Sequence, residues 1–239
     1  MGTNTAPATP RPRTTRVKIC CIASIDEARL AIACGASAIG LVSAMPSGPG
    51  PIDEGLIAEI AETVPPGVAT FLLTCQTSPE RIVEQQRRTG ANTLQLCDRL
   101  APAPAEATRA YEVLRAAMPG VALVQVIHVR GRESVDEALA IAPHVNALLL
   151  DSGNQDLAVK ELGGTGRVHD WSLSAEIVRA ANRPVFLAGG LRPDNAAAAI
   201  ETVRPYGLDV CTGLRTNGRL DEAKVEAFMK SVARSAMPL

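Results

Sequence analysis

At 239 residues the chain has room for one large barrel or two small domains. Hydrophobic residues make up 46% and supply an ample core, while aromatics at only 3% require that core to be aliphatic, as in parallel strands rich in Val, Ile and Leu. A formal net charge of −1 argues against nucleic acid as a partner, since phosphate backbones call for a basic face, and no apolar run reaches the length of a membrane span.

Residues 1–15 are rich in Thr, Pro and Ala and lack the apolar centre of a secretory signal, so they read as a disordered tail ahead of a single unit over 16–239. Six cysteines, at 20, 21, 34, 75, 97 and 211, are scattered through apolar segments rather than spaced as a disulfide framework. That usage fits a reduced, cytoplasmic protein.

From Arg16 on, strand-like runs alternate with helical patterns. The strands are predicted at Val17–Ile22, Ala38–Ser43, Val68–Thr74, Thr93–Cys97, Ala122–His128, Ala147–Asp151, Val185–Ala188 and Leu208–Thr212. The helices between and after them are predicted at Ile25–Cys34, Glu54–Thr63, Pro79–Arg88, Ala105–Met118, Ser134–Ile141, Leu173–Ala181, Asp194–Val203 and Asp221–Ala236. Eight strands and eight helices in strict alternation are what a (β/α)8 TIM barrel needs. A doubly wound open sheet is the alternative, but Cys20–Ser24 lacks the G-x-G-x-x-G turn that usually follows its first strand. Even-numbered strands are entered through Cys34-Gly35, Thr89-Gly90, Pro143-His144 and Tyr206-Gly207, the first three about fifty-five residues apart, the size of two βα units each. This reads as quarter-barrel repetition, with glycine supplying the left-handed helix stop.

In such barrels the site lies at the C-terminal strand ends. Three glycine-bearing turns fall there in the last third: Gly163-Gly164-Thr165-Gly166, Gly189-Gly190 and Thr212-Gly213. Phosphate sites in this fold are often built after strands seven and eight with a short extra helix, for which Leu214–Asn217 is the candidate. Any one of these turns is an ordinary tight turn; three at one rim point to a phosphate. Lys18 and Cys20 share a strand two residues apart and so face the interior together, where a cation converts a thiol into a base or nucleophile. Cys21 should then point outward and serve packing. Asp151 ends an apolar strand, where a carboxyl has no packing reason to be, and is a catalytic candidate. His128, Cys75, Cys97 and Cys211 have no metal-ligand spacing, so no metal is expected. His144 should be at the far surface, and His169 beside the glycine loop either lines the site or is solvated.

Taken in order, Val17-Lys18-Ile19-Cys20, Leu94-Gln95-Leu96, Leu150-Asp151-Ser152, Gly163–Gly166 with Asp170-Trp171, Leu187–Leu191, Pro193–Asn195 and Val210–Gly213 resemble the motifs of the phosphoribosylanthranilate isomerase family, from Val17 nearly to the C-terminus. The resemblance implies an Amadori aldose-to-ketose rearrangement of a phosphoribosylated aromatic amine in tryptophan biosynthesis, without metal or cofactor. It implies Cys20 as the base at C2′ and Asp151 as the acid at the ribose ring oxygen. It implies a phosphate grip from Gly164, Thr165, Gly166, Gly189, Gly190, Thr212 and Gly213, with Lys18, Gln95, His128 and Arg215 lining the substrate. The partner is then a small phosphoribosyl molecule, bound by a monomer or homodimer.

The sequence departs from the family pattern at several points. Cys21 stands for the usual glycine, and Cys97 for a histidine. Cys211-Thr212 replaces a serine pair, and Arg215 an acidic residue. Gly50, within Met45–Pro51, falls where an arginine usually grips the anthranilate carboxylate, a strong oriented contact. Three readings follow: the ordinary isomerase with Arg215, Arg167 or His128 in place of that arginine, a divergent enzyme for another phosphoribosyl amine or sugar phosphate, or a non-catalytic phosphosugar-binding barrel. Retention of both Cys20 and Asp151 weighs against the third.

Overall fold

The computed structural model describes residues 15–164 and 166–235. The expected tail, Thr15 excepted, and Thr165 of the expected phosphate loop lie outside these residues. Eight parallel strands close into one barrel in the order β1 to β8, and β8 pairs back onto β1 through Arg16↔Gly207, Val17↔Leu208, Lys18↔Asp209 and Ile19↔Val210. The strands are β1 (Arg16–Ile19), β2 (Ala38–Val42), β3 (Ala69–Thr74), β4 (Thr93–Leu96), β5 (Ala122–His128), β6 (Ala147–Asp151), β7 (Val185–Leu187) and β8 (Gly207–Val210). The helices are α1 (Ile25–Ala33), α2 (Glu54–Thr63), α3 (Pro79–Thr89), α4 (Pro104–Ala117), α5 (Glu133–Ile141), α6 (Trp171–Ala180), α7 (Ala196–Val203) and α8 (Glu222–Ser235). No helix among the described residues is long and apolar enough to cross a membrane.

Two apolar layers hold the barrel. The larger lies between strands and helices, where Ile19, Ile39, Leu72, Leu94, Leu148 and Leu208 meet Ile57, Ile60, Ile82, Leu114, Ile177 and Phe228. The smaller fills the barrel from Ala38, Phe71, Leu73, Val124, Val126, Leu149 and Phe186. Two of the chain's three phenylalanines are spent here, Phe71 edge-on to Phe186 with ring centroids 5.8 Å apart.

Boundaries coincide with the predicted ones or differ by one or two residues, except at the end of β1, and local chemistry accounts for several of the differences. β1 stops at Ile19 rather than Ile22 because Cys21 adopts φ 61, which no strand tolerates. α7 starts at Ala196 because the Asn195 side chain accepts from the Arg192 backbone N–H at 2.8 Å and closes a turn first. Ser24 caps α1 by accepting from the Glu27 N–H at 3.1 Å. The repeated glycine stop holds at Gly35 and Gly90, which have positive φ, but not at Gly207, which lies inside β8; Arg204 at φ 53 ends α7 instead. The extra helix expected at Leu214–Asn217 is absent. A 3₁₀ turn forms at Thr212–Leu214, followed by a small hairpin pairing Arg215–Thr216 with Arg219–Leu220.

Candidate active site

A cavity lies at the C-terminal strand ends. One side is lined by Cys20 and Cys21 after β1, another by Gln95 and Cys97 at the end of β4, and a third by Asp151 at the end of β6. Its rim is main chain: Gly163, Gly164 and Gly166 after β6, Gly189-Gly190 after β7, and Thr212 after β8. All five of those glycines sit at positive φ, so the chain folds into two tight turns that side chains would obstruct. Gly213 lies outside the lining, pressed so closely against the turn before it that a Cβ there would fall 2.0 Å from the Leu191 carbonyl oxygen.

Cys20 is buried, and below it Lys18 is fully buried. The Lys18 Nζ lies 2.8 Å from Asp209 Oδ1 and 5.2 Å from the centroid of the Phe71 ring. The Cys21 thiol beside Cys20, aided by the Lys18 ammonium, holds the Cys20 thiol below its ordinary value against the opposing effect of burial. Burial alone disfavours a charge on Lys18, yet Asp209 and Cys20 outweigh it and raise the ammonium above its usual range. Burial pushes the Asp209 carboxyl up, with Lys18 opposing. Cys97 is pushed up by burial, and Cys21 by its hydrogen bonds to Cys20 and Cys211. Asp151 is buried and accepts from the Ser152 backbone N–H at 2.7 Å, which fixes one oxygen; the other, Oδ2, lies toward Gly163 on the glycine loop.

Several expectations need correction. Cys21 does not face the helices: its positive φ turns it into the cavity wall, where its thiol donates to the Pro49 carbonyl at 3.5 Å. Lys18 lies beneath the cavity rather than lining it, while Gln95 does line it, with its Oε1 buried and unpartnered. His128 is tucked behind the wall, its Nε2 3.1 Å from the Cys97 carbonyl oxygen. Arg215 does not reach the cavity; it clasps Glu27 through its two terminal guanidinium nitrogens at 3.0 Å. Arg167 is engaged by Glu161. None of the three lines the cavity. His169 is likewise outside the lining, with Nε2 2.7 Å from Ser174 Oγ, and burial lowers its pKa. His144, by contrast, is partly exposed just ahead of β6, in keeping with a surface position, and its ring stacks on Tyr111 at 6.0 Å.

Gly50 itself is locked in place. A Cβ there would lie 2.6 Å from the Cys21 Cβ, and φ is 84. The strap that carries it crosses the mouth, with Ser47 Oγ donating to the Lys160 carbonyl at 2.6 Å and Pro49 against Gly164. Asp209, absent from the sequence-level candidates, is the added member of the site. Its signal was a carboxylate inside the otherwise apolar β8.

The family described as N-(5'-phosphoribosyl)anthranilate isomerase matches residues 17–231. Relatives bearing that name include one from Desulforudis audaxviator, 38% identical over 93% of this chain and all of its own length. Another, numbered isomerase 2, from Methanosarcina mazei, is 36% identical over 90% of this chain and 92% of its own. The solved isomerase from Thermotoga maritima superposes with a TM-score of 0.75 at 27% identity, over 92% of this chain and 99% of that one. A further isomerase structure, in complex with reduced 1-(o-carboxyphenylamino)-1-deoxyribulose 5-phosphate, gives a TM-score of 0.73 at 25% identity over the same shares. The chain belongs to the N-(5'-phosphoribosyl)anthranilate isomerase family.

Proposed function

We propose that this chain catalyses the Amadori rearrangement of N-(5'-phosphoribosyl)anthranilate, with Cys20 as general base and Asp151 as general acid. One observation carries the assignment: a thiol held toward its thiolate and a carboxyl with one oxygen left unpinned line one cavity whose rim is main chain. Asp151 gives its proton to the ribose ring oxygen as the C1′–O bond breaks, and the anilinic nitrogen lone pair forms an iminium. The Cys20 thiolate then takes the C2′ proton, whose bonding pair flows to the iminium and leaves an enolamine. That species takes a proton at C1′ and loses one from its C2′ hydroxyl to become the ketose. One proton reaches oxygen while another leaves carbon, which explains why the two groups stand on different strands.

The phosphate is received by the turns of Gly164, Gly166, Gly189, Gly190 and Thr212, and its binding energy orients C2′ toward the sulfur. Gln95 Oε1, buried and unpartnered, is the acceptor offered to a substrate hydroxyl or N–H. The same reading puts the enzyme in the cytoplasm, where six free thiols stay reduced, as a monomer or homodimer acting on a small phosphoribosyl substrate.

The test uses substrate generated in situ, followed by loss of anthranilate fluorescence. Cys20→Ala and Asp151→Asn should each lower kcat by at least about 10²-fold with the circular dichroism spectrum unchanged. Near-normal kcat in either variant sinks that residue's assignment. A flat trace for the wild type beside an active control isomerase moves the reading to another phosphoribosyl amine.

A further inference from the structure

We propose that Lys18 and Asp209 are positioning residues acting in opposite directions on Cys20: the ammonium holds the sulfur as a thiolate under the cavity floor, and the carboxylate restrains that effect while orienting the ammonium. The inference rests on the reading of Cys20 as the base.

The geometry is built for such a contact. Lys18 and Asp209 are register partners across the closing β1–β8 seam, 191 positions apart in sequence, with Nζ and Oδ1 2.8 Å apart. On the other side of β1, Gly40 of β2 leaves an open volume that the sulfur and the ammonium share. A Cβ at Gly40 would lie 2.7 Å from Cys20 Sγ and 3.0 Å from Lys18 Nζ, so any side chain there would be driven between them. Phe71 of β3 presents its ring to the ammonium and leaves Lys18 only Asp209 and Cys20 as charge partners. The other titratable groups facing Cys20 are Cys21 on its own turn, Cys97 after β4 and Asp209 on β8; Asp151 on β6 faces Asp209 and Cys97. Lys18 is thus the one cation in a group otherwise made of acids.

A fully buried lysine that served only the fold would need only its carboxylate, and either half of the pair could be neutralised with the same outcome. An opposed pair behaves differently. Removing the ammonium takes away the thiolate's counter-charge, so the Cys20 midpoint rises. Removing the carboxylate leaves the ammonium to the sulfur alone, so the midpoint falls.

The experiment measures the pH dependence of Cys20 alkylation by iodoacetamide, resolved from Cys21 by fragmentation mass spectrometry, beside the pH profile of kcat/KM. Lys18→Met should move both midpoints upward by about one unit, a tenfold loss of thiolate at a given pH, and Asp209→Asn should move them downward. Gly40→Ala, which wedges the sulfur from the ammonium without touching a charge, should move them upward. The double variant K18M/D209N, which leaves no unpaired charge, should lie above the wild type and serves if K18M does not fold. Shifts of the same sign in K18M and D209N, or none in either, overturn the inference. Alkylation reads the sulfur whether or not the enzyme turns over, so an active Cys20→Ala variant removes the base assignment without disturbing this measurement.

Discussion

Arg215 separates two roles that predict different outcomes for one substitution. If it gripped a substrate carboxylate, Arg215→Met would raise KM and leave stability alone. In the structure its guanidinium holds both oxygens of Glu27 at 3.0 Å, the Gly218 carbonyl at 2.8 Å, and the Cys21 carbonyl. Glu27 in turn accepts from the Leu220 N–H at 2.9 Å and the Ala23 N–H at 3.0 Å. The pair is nearly buried, its side chains 9% and 16% exposed, and it ties the hairpin after β8 to the turn that carries Cys20 and Cys21. Removing one half of such a pair costs about 3 kcal/mol, which for a chain of this size lowers Tm by roughly 6–12 °C. The pH dependence has a definite sign. Burial raises the Glu27 carboxyl, but Arg215 and the two backbone N–H groups outweigh it and hold it below its ordinary value. A depressed acid contributes its stability above the unfolded pKa, about 4.3, and loses it as pH falls through the folded value. The Tm gap between wild type and Arg215→Met should therefore be full at pH 7 and narrow in acid below about pH 4. Thermal unfolding by circular dichroism across pH, with KM measured at pH 7, decides the matter. An unchanged Tm with KM raised tenfold would refute the clasp.

Two further outcomes follow from close backbone approaches. Gly213→Ala places a Cβ 2.0 Å from the Leu191 carbonyl oxygen, so the turns after β7 and β8 must separate and KM should rise at least about tenfold, with inhibition by inorganic phosphate weakened in parallel; unchanged values of both would detach Gly213 from the rim. Gly50→Arg should destabilise by more than about 1 kcal/mol because its Cβ meets that of Cys21 at 2.6 Å with φ 84, and adding Cys21→Gly should recover part of the loss. Strictly additive urea-unfolding energies would show that the two positions do not compete for that space.

The barrel was legible because its signals are local and repeated: apolar runs of strand length, helix stops at Gly35 and Gly90, and a composition too poor in aromatics for most other cores. The placement of Cys20 and Asp151 at one cavity was legible for the same reason, each a reactive group at the end of an apolar run. What escaped was non-local. Asp209 gains meaning only when the barrel closes and sets it in register with Lys18. Strand alternation sends Cys21 outward, but the rule fails there, two residues after β1 ends, where φ is 61. A family resemblance gives position but not direction: His128 is held by the Cys97 carbonyl behind the cavity wall, and Arg215 by Glu27 outside it. The consequence of Gly50 for its neighbour was also hidden, since no spacing rule brings residues 21 and 50 together.

The charge layout bears on how one cavity can bind an anion and still run a thiolate base. Among the described residues the lining includes no Lys, Arg or His side chain, and its carboxyls are Asp151 and Asp209. A cationic side chain at the rim would bind phosphate tightly, but it would also act on the thiol and on the acid across the cavity, since both feel charges at this range in a poorly solvated site. On the proposed reading, the main chain at Gly164, Gly166, Gly189 and Gly190 receives the dianion through partial charges of short reach, which leaves the ionisation of Cys20 to Cys21 beside it, Asp209 in the wall and Lys18 beneath. On that same reading, binding and proton transfer draw on separate sources of charge. That separation explains why the single ammonium near Cys20 is fully buried beneath the site rather than exposed at its mouth.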